Sequence, residues 1–298
     1  MPSVSVVVLS YNSADYIGPC LQSIALSDYA PTEVVVVDNA SKDDSVSEAR
    51  EAAARAGLKI KLVALKQNLG CAGGNNAGWR ETAGEYVVFL NPDTEITHDC
   101  LRQMIAPMIT DSGIGATGAK IYYPGTRRIQ HAGGAIGFNG MTNHFGAGEE
   151  DSGLYNEVRD VDYVTGAALA VRGRVVKELN GFDEDFFPAY FEETDFCTRI
   201  RKAGHRVVYI PTAVLYHHES VSLAANSPRF RRLYQKMRVL YCMKSYGRDF
   251  WRIFPKAELD WMCYEPKARG YRLEQVRAWF EAGAWWLRCK FARRRARG

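Results

Sequence analysis

Glu33-Val-Val-Val-Val-Asp-Asn39 is an uninterrupted β-branched run closed by two short polar residues. It lacks the in–out alternation of a half-solvated strand, so it reads as a strand covered on both faces, as strands of a parallel sheet are. The same signature recurs outward in both directions. Val4 to Leu9 is a second buried strand, followed by a helical pattern through Leu21 and Ile24. Ser45 to Ala56 is an Ala/Glu/Arg-rich helix stopped by Gly57, and Ile60 to Leu65 is a third strand. The Gly/Asn-rich segment Asn68 to Asn76 reads as a loop opening a helix toward Thr82. Tyr86 to Leu90 is a fourth strand, ending at Asn91-Pro92-Asp93-Thr94. Strand–helix alternation of this kind predicts an α/β fold with a doubly wound, mostly parallel sheet. Ligands of such sheets bind beyond the carboxyl ends of the strands, where Asn12, Asp38, Asn68 and Asp93 fall.

The remainder is less regular. Gly115 to Tyr123 and Val161 to Val171 read as strands, the latter broken by Gly166; Thr194 to Ala203 reads as a helix and Val207 to Ile210 as a strand. Residues 131–153 are Gly-rich and read as a mobile loop, a candidate lid. From Arg229 the pattern is helical, aromatic and basic. Residues 226–298 hold 19 Lys/Arg against 6 Asp/Glu, a net of +13, whereas residues 1–225 hold 19 against 28, a net of −9. The expected organisation is a domain over 1–224, with halves 1–95 and 96–224, and a distinct helical region over 225–298. The seven cysteines form no C-x-x-C pair, which argues for reduced thiols, a cytoplasmic location, and no zinc knuckle or disulfide framework. Neither a signal peptide nor a membrane-spanning segment is expected.

The residues that carry chemistry are individually ambiguous. Asp38, at a strand end, suits a ribose or base contact, or equally a helix cap. Asn68 to Asn76 offers backbone N–H groups to a phosphate, or is a plain Gly-rich turn. It matches neither G-x-G-x-x-G nor a P-loop. Asp93, set in a turn after Pro92, suits a hard divalent cation that also binds substrate phosphates, or caps the helix starting near His98. Glu192, Glu193 and Asp195 crowd three carboxylates into one helix start. Crowding raises a pKa toward that of a general base; the same cluster also serves a solvated helix N-terminus. His217-His218 are metal ligands or ordinary histidines after a strand.

Taken in order, these stretches resemble the family 2 glycosyltransferases, inverting enzymes of the GT-A fold, and more narrowly their rhamnosyltransferase-like and galactofuranosyltransferase-like members. The resemblance runs from Val4 to about Ser222. It covers residues 7–12, 36–45, 68–75, 91–94, 164–172, 181–187, 191–199 and 217–222. It implies a Rossmann-like nucleotide-binding half. It implies a nucleotide-sugar donor, UDP- or dTDP-linked, at Ser10, Tyr11, Asn12, Asp38, Asn39, Asn68, Gly73, Asn76, Asn91 and Asp93. It implies Mg²⁺ or Mn²⁺ on Asp93, the last residue of a D-x-D-type motif, and on His217. Glu193 takes the place of the catalytic base, Asp195 completes the same acidic motif, and Glu192 is the alternative base. Gly166 and Ala167, with Glu193, shape the acceptor side. Asn91 replaces the first Asp of D-x-D, and Glu193 stands where the shorter Asp is usual.

The implied activity moves a sugar, with rhamnose first in line, onto a hydroxyl of a glycan or lipid-linked acceptor in cell-surface polysaccharide synthesis. A catalytically inactive nucleotide-sugar-binding or scaffold protein is the alternative. A nucleotidyltransferase ranks last, because Ser10-Tyr11-Asn12-Ser13-Ala14 is not a basic, Gly-rich triphosphate loop. For the basic tail, with Trp279, Trp285 and Trp286 near Arg288, Lys290 and 293–297, peripheral attachment to a membrane surface is the leading expectation. A structural appendage and a homodimer interface compete with it, and no nucleic acid is expected.

Overall fold

The structure is a computed structural model that describes residues 2–219, 227–264 and 275–284. Two compact units emerge. The first comprises residues up to 135 and 143–220; the second takes residues 136–142 and the chain from 221 on.

The first unit alternates as its sequence predicts. β1 (Val4–Ser10), β2 (Glu33–Asp38), β3 (Ile60–Ala64) and β4 (Tyr86–Leu90) are parallel, in the order β3-β2-β1-β4. Between them run α1 (Ala14–Ala25), α2 (Ser45–Arg55) and α3 (Gly70–Trp79). All seven residues of β1 are buried. α1 turns Ile17, Cys20, Leu21 and Ile24 to the core, a one-face stripe of helical period. β5 (Thr94–Ile96) and α4 (Cys100–Thr110) follow, then β6 (Ile114–Tyr122), β7 (Ile129–His131) and the hairpin strands β8 (Gly134–Ile136) and β9 (Thr142–His144). β10 (Arg159–Asp160), β11 (Ala168–Arg172), α5 (Gly173–Glu178), α6 (Glu192–Lys202) and β12 (Arg206–His217) complete the unit. The sheet runs β10-β12-β6-β11-β4-β1-β2-β3, with β5 on β12 and β7 on β6. β11 is antiparallel to both neighbours, and β12 is parallel to β6. The sheet is therefore mixed, with the parallel runs β4-β1-β2-β3 and β6-β12 on either side of the antiparallel β11, a GT-A arrangement.

Three local expectations change. The strand read over Val161 to Val171 is confined to β11, Ala168–Arg172, with turns ahead of it. The Gly-rich segment is helix from Gly70 rather than loop, and its glycines are packing positions. A Cβ at Gly74 would lie 2.4 Å from a Leu9 methyl, and one at Gly78 would lie 2.4 Å from a Val7 methyl. Tertiary packing overrides the poor helix propensity of glycine here. Residues 131–153 are short strands and tight turns rather than one loop. Residues 136–142, the tip of the β8–β9 hairpin, belong to the second unit. There Gly140 (φ 76°) lies where a Cβ would meet the Cys242 sulfur at 2.5 Å.

In the second unit, α7 (Pro228–Tyr246) is capped by Ser227 Oγ, which accepts from the Phe230 N–H at 3.1 Å. It joins α8 (Phe250–Tyr264). The two helices are tied by a fully buried ion pair, Arg238–Glu258, at 2.5 Å. Arg238 also donates to Gln235 Oε1 at 2.7 Å and to the Asn139 carbonyl, and Asn139 Nδ2 donates to Glu258 at 3.1 Å. Among the described residues no helix is long and apolar enough to cross a membrane. The expectations for Trp285, Trp286, Arg288, Lys290 and 293–297 lie outside the described residues; Trp279 is described and 41% exposed.

Candidate functional site

One sheet edge gathers the polar residues. Ser10 pairs in register with Asp38 at the ends of β1 and β2, and Leu90 closes β4 on the same side. β11 enters from that side: Ala168 sits opposite Leu90, and the Ala167 carbonyl accepts from the Asn91 N–H at 3.1 Å. β12 ends there too, where its pairing with β5 sets His217 opposite Thr94.

His217 Nε2 lies 3.2 Å from Asp93 Oδ1, both side chains largely buried, and 3.4 Å from Asn91 Nδ2. Asn91 and Asp93 thus meet a histidine more than 120 residues away in sequence. His218 turns elsewhere: its Nε2 is 2.6 Å from Glu95 Oε1, and its ring lies against Tyr16. Among the described residues no cluster of three or more His, Cys, Asp or Glu side chains is arranged to hold a metal ion. A cation at Asp93 and His217 would therefore have two protein ligands from this set.

The acidic motif begins α6. Burial pushes the Glu193 carboxyl above its ordinary value, outweighing the backbone N–H groups that favour its charge. Glu192 is pushed well above its ordinary value by burial and by the neighbouring Glu193. Glu192 Oε2 is buried without a partner, and burial together with the charges of Glu192 and Glu193 pushes the Cys71 thiol of α3 well above its ordinary value. Glu193 abuts Gly166: a Cβ there would lie 3.7 Å from Glu193 Cβ. Gly166 and Ala167 therefore bridge from Glu193 to Asn91, two residues from Asp93. Tyr190 and Phe191, just before α6, hold φ of 78° and 71°. Two bulky residues in this region carry about 1–3 kcal/mol of strain each, a pattern found at functional sites.

Asp195 is placed differently from its two neighbours. It is buried and accepts from Arg199 Nε at 2.6 Å; Arg199 in turn donates to the Leu179 and Gly181 carbonyls at 3.1 and 2.8 Å. Through Arg199 that carboxylate is tied to the loop ahead of the motif.

The expected donor residues also divide. Asp38 is 5% exposed; Oδ2 accepts from the Ser41 N–H at 3.2 Å, and Oδ1 has no partner. Tyr11 stands exposed at the end of β1. Ser10 Oγ bonds Ser13 Oγ, and Asn12 Oδ1 accepts from the Lys42 N–H, stitching the first two loops together. Asn39 Oδ1 accepts from the Leu69 N–H, and Asn39 Nδ2 donates to Asn68 Oδ1 and to the Gly70 carbonyl. These bonds fix the start of α3. Gly73 and Asn76 are both buried in α3. A Cβ at Gly73 would lie 2.7 Å from Leu69 Cβ. Asn76 is 1% exposed and fully used: Nδ2 donates to the Phe182 carbonyl and Glu184, and Oδ1 accepts from the Phe182 N–H and Trp79 Nε1.

Sequence reasoning missed Gln130, whose Oε1 lies 2.7 Å from His217 Nδ1, and Arg199. The i,i+4 spacing of Asp195 and Arg199 on a helix was a usable signal for the latter; Gln130, in a three-residue strand, carried none.

Comparison with known proteins identifies the family. The family described as "Glycosyl transferase family 2" matches residues 5–161, and "Glycosyl transferase family group 2" matches residues 86–283. A Sinorhizobium fredii protein, y4gI, is 31% identical over 74% of this chain, which spans only 25% of that protein's length. The N-acetylglucosaminyl-diphospho-decaprenol L-rhamnosyltransferase of Mycobacterium tuberculosis is 25% identical over 86% of this chain and 87% of its own length. Among solved structures, the mannosyltransferase PcManGT from Pyrobaculum calidifontis, in complex with GDP-Man and Mn²⁺, superposes with a TM-score of 0.64 at 23% identity. The match covers 95% of this chain and 75% of that one, and establishes the shared fold. The chain belongs to glycosyl transferase family 2 and is a glycosyltransferase.

Proposed function

We propose that this glycosyltransferase moves a sugar from a UDP- or dTDP-linked donor to a hydroxyl of a glycan or lipid-linked acceptor, with inversion, in cell-surface polysaccharide synthesis. The observation that carries the reading is the short bridge from Glu193 through Gly166 and Ala167 to Asn91 and the Asp93–His217 pair. A carboxyl made basic by burial and a pair of metal-binding side chains belong to one continuous site.

In this reading Glu193 is the general base. It accepts the proton of the acceptor hydroxyl as that oxygen attacks the anomeric carbon from the face opposite the leaving group. A single displacement needs no protein nucleophile. The buried cysteines fit that: burial pushes the thiols of Cys20 and Cys197 up to about 12. Asp38 Oδ1, buried and unpartnered, is the acceptor offered to the donor's nucleoside, and the exposed Tyr11 ring covers the base.

The residues fit a divalent cation. His217 Nε2 and Asp93 Oδ1 converge to 3.2 Å, and these two residues, an imidazole and a carboxylate, would hold Mn²⁺ or Mg²⁺. Such an ion supplies charge neutralisation for the diphosphate leaving group. The likeness to the mycobacterial L-rhamnosyltransferase supports rhamnose as the leading donor sugar and a lipid-linked acceptor. In the second unit Trp251, Tyr264 and Phe280 are exposed at 72%, 84% and 76%, which supports attachment to a membrane surface.

Calorimetry with a panel of nucleoside diphosphates, with and without Mn²⁺, tests the donor side. UDP or dTDP should bind preferentially and more tightly with Mn²⁺. Metal-independent binding of every nucleotide would count against the Asp93–His217 assignment.

A further inference from the structure

Gln130 lies in β7 and is 8% exposed. Burying a primary amide is unfavourable unless both ends are hydrogen-bonded, and here both ends go to one residue. Gln130 Nε2 donates to the His217 main-chain carbonyl at 3.3 Å, and Oε1 lies 2.7 Å from His217 Nδ1. The main-chain carbonyl only accepts, so the amide NH₂ must face it. That fixes the amide orientation and turns Oε1 toward the ring. An oxygen acceptor at 2.7 Å requires Nδ1 to carry the hydrogen, and in the neutral ring the lone pair is then on Nε2. Nε2 is the nitrogen that lies 3.2 Å from Asp93 Oδ1, and the Asn91 amide nitrogen, a donor, stands 3.4 Å from it.

We propose that Gln130 is a positioning residue that fixes the tautomer and ring orientation of His217, so that the Nε2 lone pair and Asp93 Oδ1 are presented together to a divalent cation. This rests on the reading of Asp93 and His217 as metal ligands. Gln130 touches neither donor nor acceptor in this account. It acts through His217, as outer hydrogen-bond partners of metal-bound histidines do, and loss of such a partner lowers metal affinity by about 10- to 100-fold.

The test uses the full chain labelled with ¹⁵N-histidine at pH 8, with His217 assigned by its loss in His217→Ala. Long-range ¹H–¹⁵N correlation reads the tautomer, and the electron paramagnetic resonance signal of free Mn²⁺ reads metal affinity. His217 should be protonated on Nδ1 in the unsubstituted protein and in Gln130→Glu, which keeps an acceptor beside Nδ1. In Gln130→Leu the Nε2–H form should appear, and Mn²⁺ affinity should fall about 10- to 100-fold, while Gln130→Glu stays within a few-fold. His217 protonated on Nε2 in the unsubstituted protein overturns the proposal. So does Gln130→Leu with an unchanged tautomer and unchanged Mn²⁺ affinity. Should Gln130→Leu fail to fold, Gln130→Glu decides alone: loss of the Nδ1–H form with Mn²⁺ affinity intact overturns it. His217→Ala separates the two layers. Unchanged Mn²⁺ binding there defeats the metal-ligand reading itself. A loss there, with none in Gln130→Leu, defeats only the role of Gln130.

Discussion

Replacing Asn76 by alanine tests whether that residue holds the fold or the nucleotide. Four hydrogen bonds converge on its side chain, at 2.8 to 3.0 Å. Two of the partners are the N–H and C=O of Phe182, which is 4% exposed. Alanine leaves both main-chain groups buried and unpaired, at about 1–3 kcal/mol each. The other two partners matter less: the Glu184 side chain is 54% exposed and rehydrates, and Trp79 is only partly buried. The expected loss is therefore about 2–6 kcal/mol, a large part of the 5–15 kcal/mol that holds a typical domain together. With a urea dependence of about 2 kcal/mol/M, the midpoint of the first unit should drop by about 1–3 M. Residues 181–184 are also tied to α6 through Arg199, so transfer should fall along with stability. The assays are urea unfolding followed by fluorescence, and calorimetry of UDP with Mn²⁺ on the folded protein. An unchanged midpoint with strongly weakened UDP binding would refute the structural role and return Asn76 to the nucleotide site.

Other consequences follow from charge and burial. Transfer should fall on acidification through a midpoint above the ordinary glutamate range, because burial raises the Glu193 carboxyl and only its ionised form accepts a proton; a midpoint at or below the ordinary value in the pH–rate profile would contradict this. Glu192→Gln should raise stability at pH 8 but not at pH 4. A carboxyl whose folded pKa is raised costs stability as pH climbs from its unfolded toward its folded value, and thermal unfolding at the two pH values reads the difference. Glu258→Ala should destabilise the second unit by about 3–5 kcal/mol by stranding the buried Arg238, whereas Arg238→Met with Glu258→Leu should cost far less. Equal losses in melting temperature for the two variants would refute that account.

Much of the fold was legible because its signals were local. The β-branched runs of β1, β2 and β4 are strands wherever they are packed, and the Ala/Glu/Arg period of α2 is a helix by propensity alone. The pairing of Asp93 with His217 was reachable only through resemblance, since nothing local joins a turn after β4 to the end of β12. What escaped was set by tertiary packing. Gly70 to Gly78 has a loop-like composition, yet it is a helix, and its glycines at 74 and 78 are there because Leu9 and Val7 come too close for any Cβ. Asn76 looks like a ligand residue until Phe182, Glu184 and Trp79 are seen to use its polar atoms, and the tie from Asp195 to Arg199 joins groups that only the folded α6 brings together. Gln130 carries no signal in sequence, because its importance lies wholly in facing His217.

The central claim is that Glu193 takes the acceptor proton, and Glu193→Gln tests it most directly. Gln keeps size and hydrogen bonding but cannot accept a proton at neutral pH. Sugar transfer should fall by about 10²- to 10⁴-fold, or about 3–5 kcal/mol in barrier, with the affinity for the nucleotide and Mn²⁺ unchanged. Transfer by Glu193→Gln within a few-fold of the unsubstituted rate would contradict the claim.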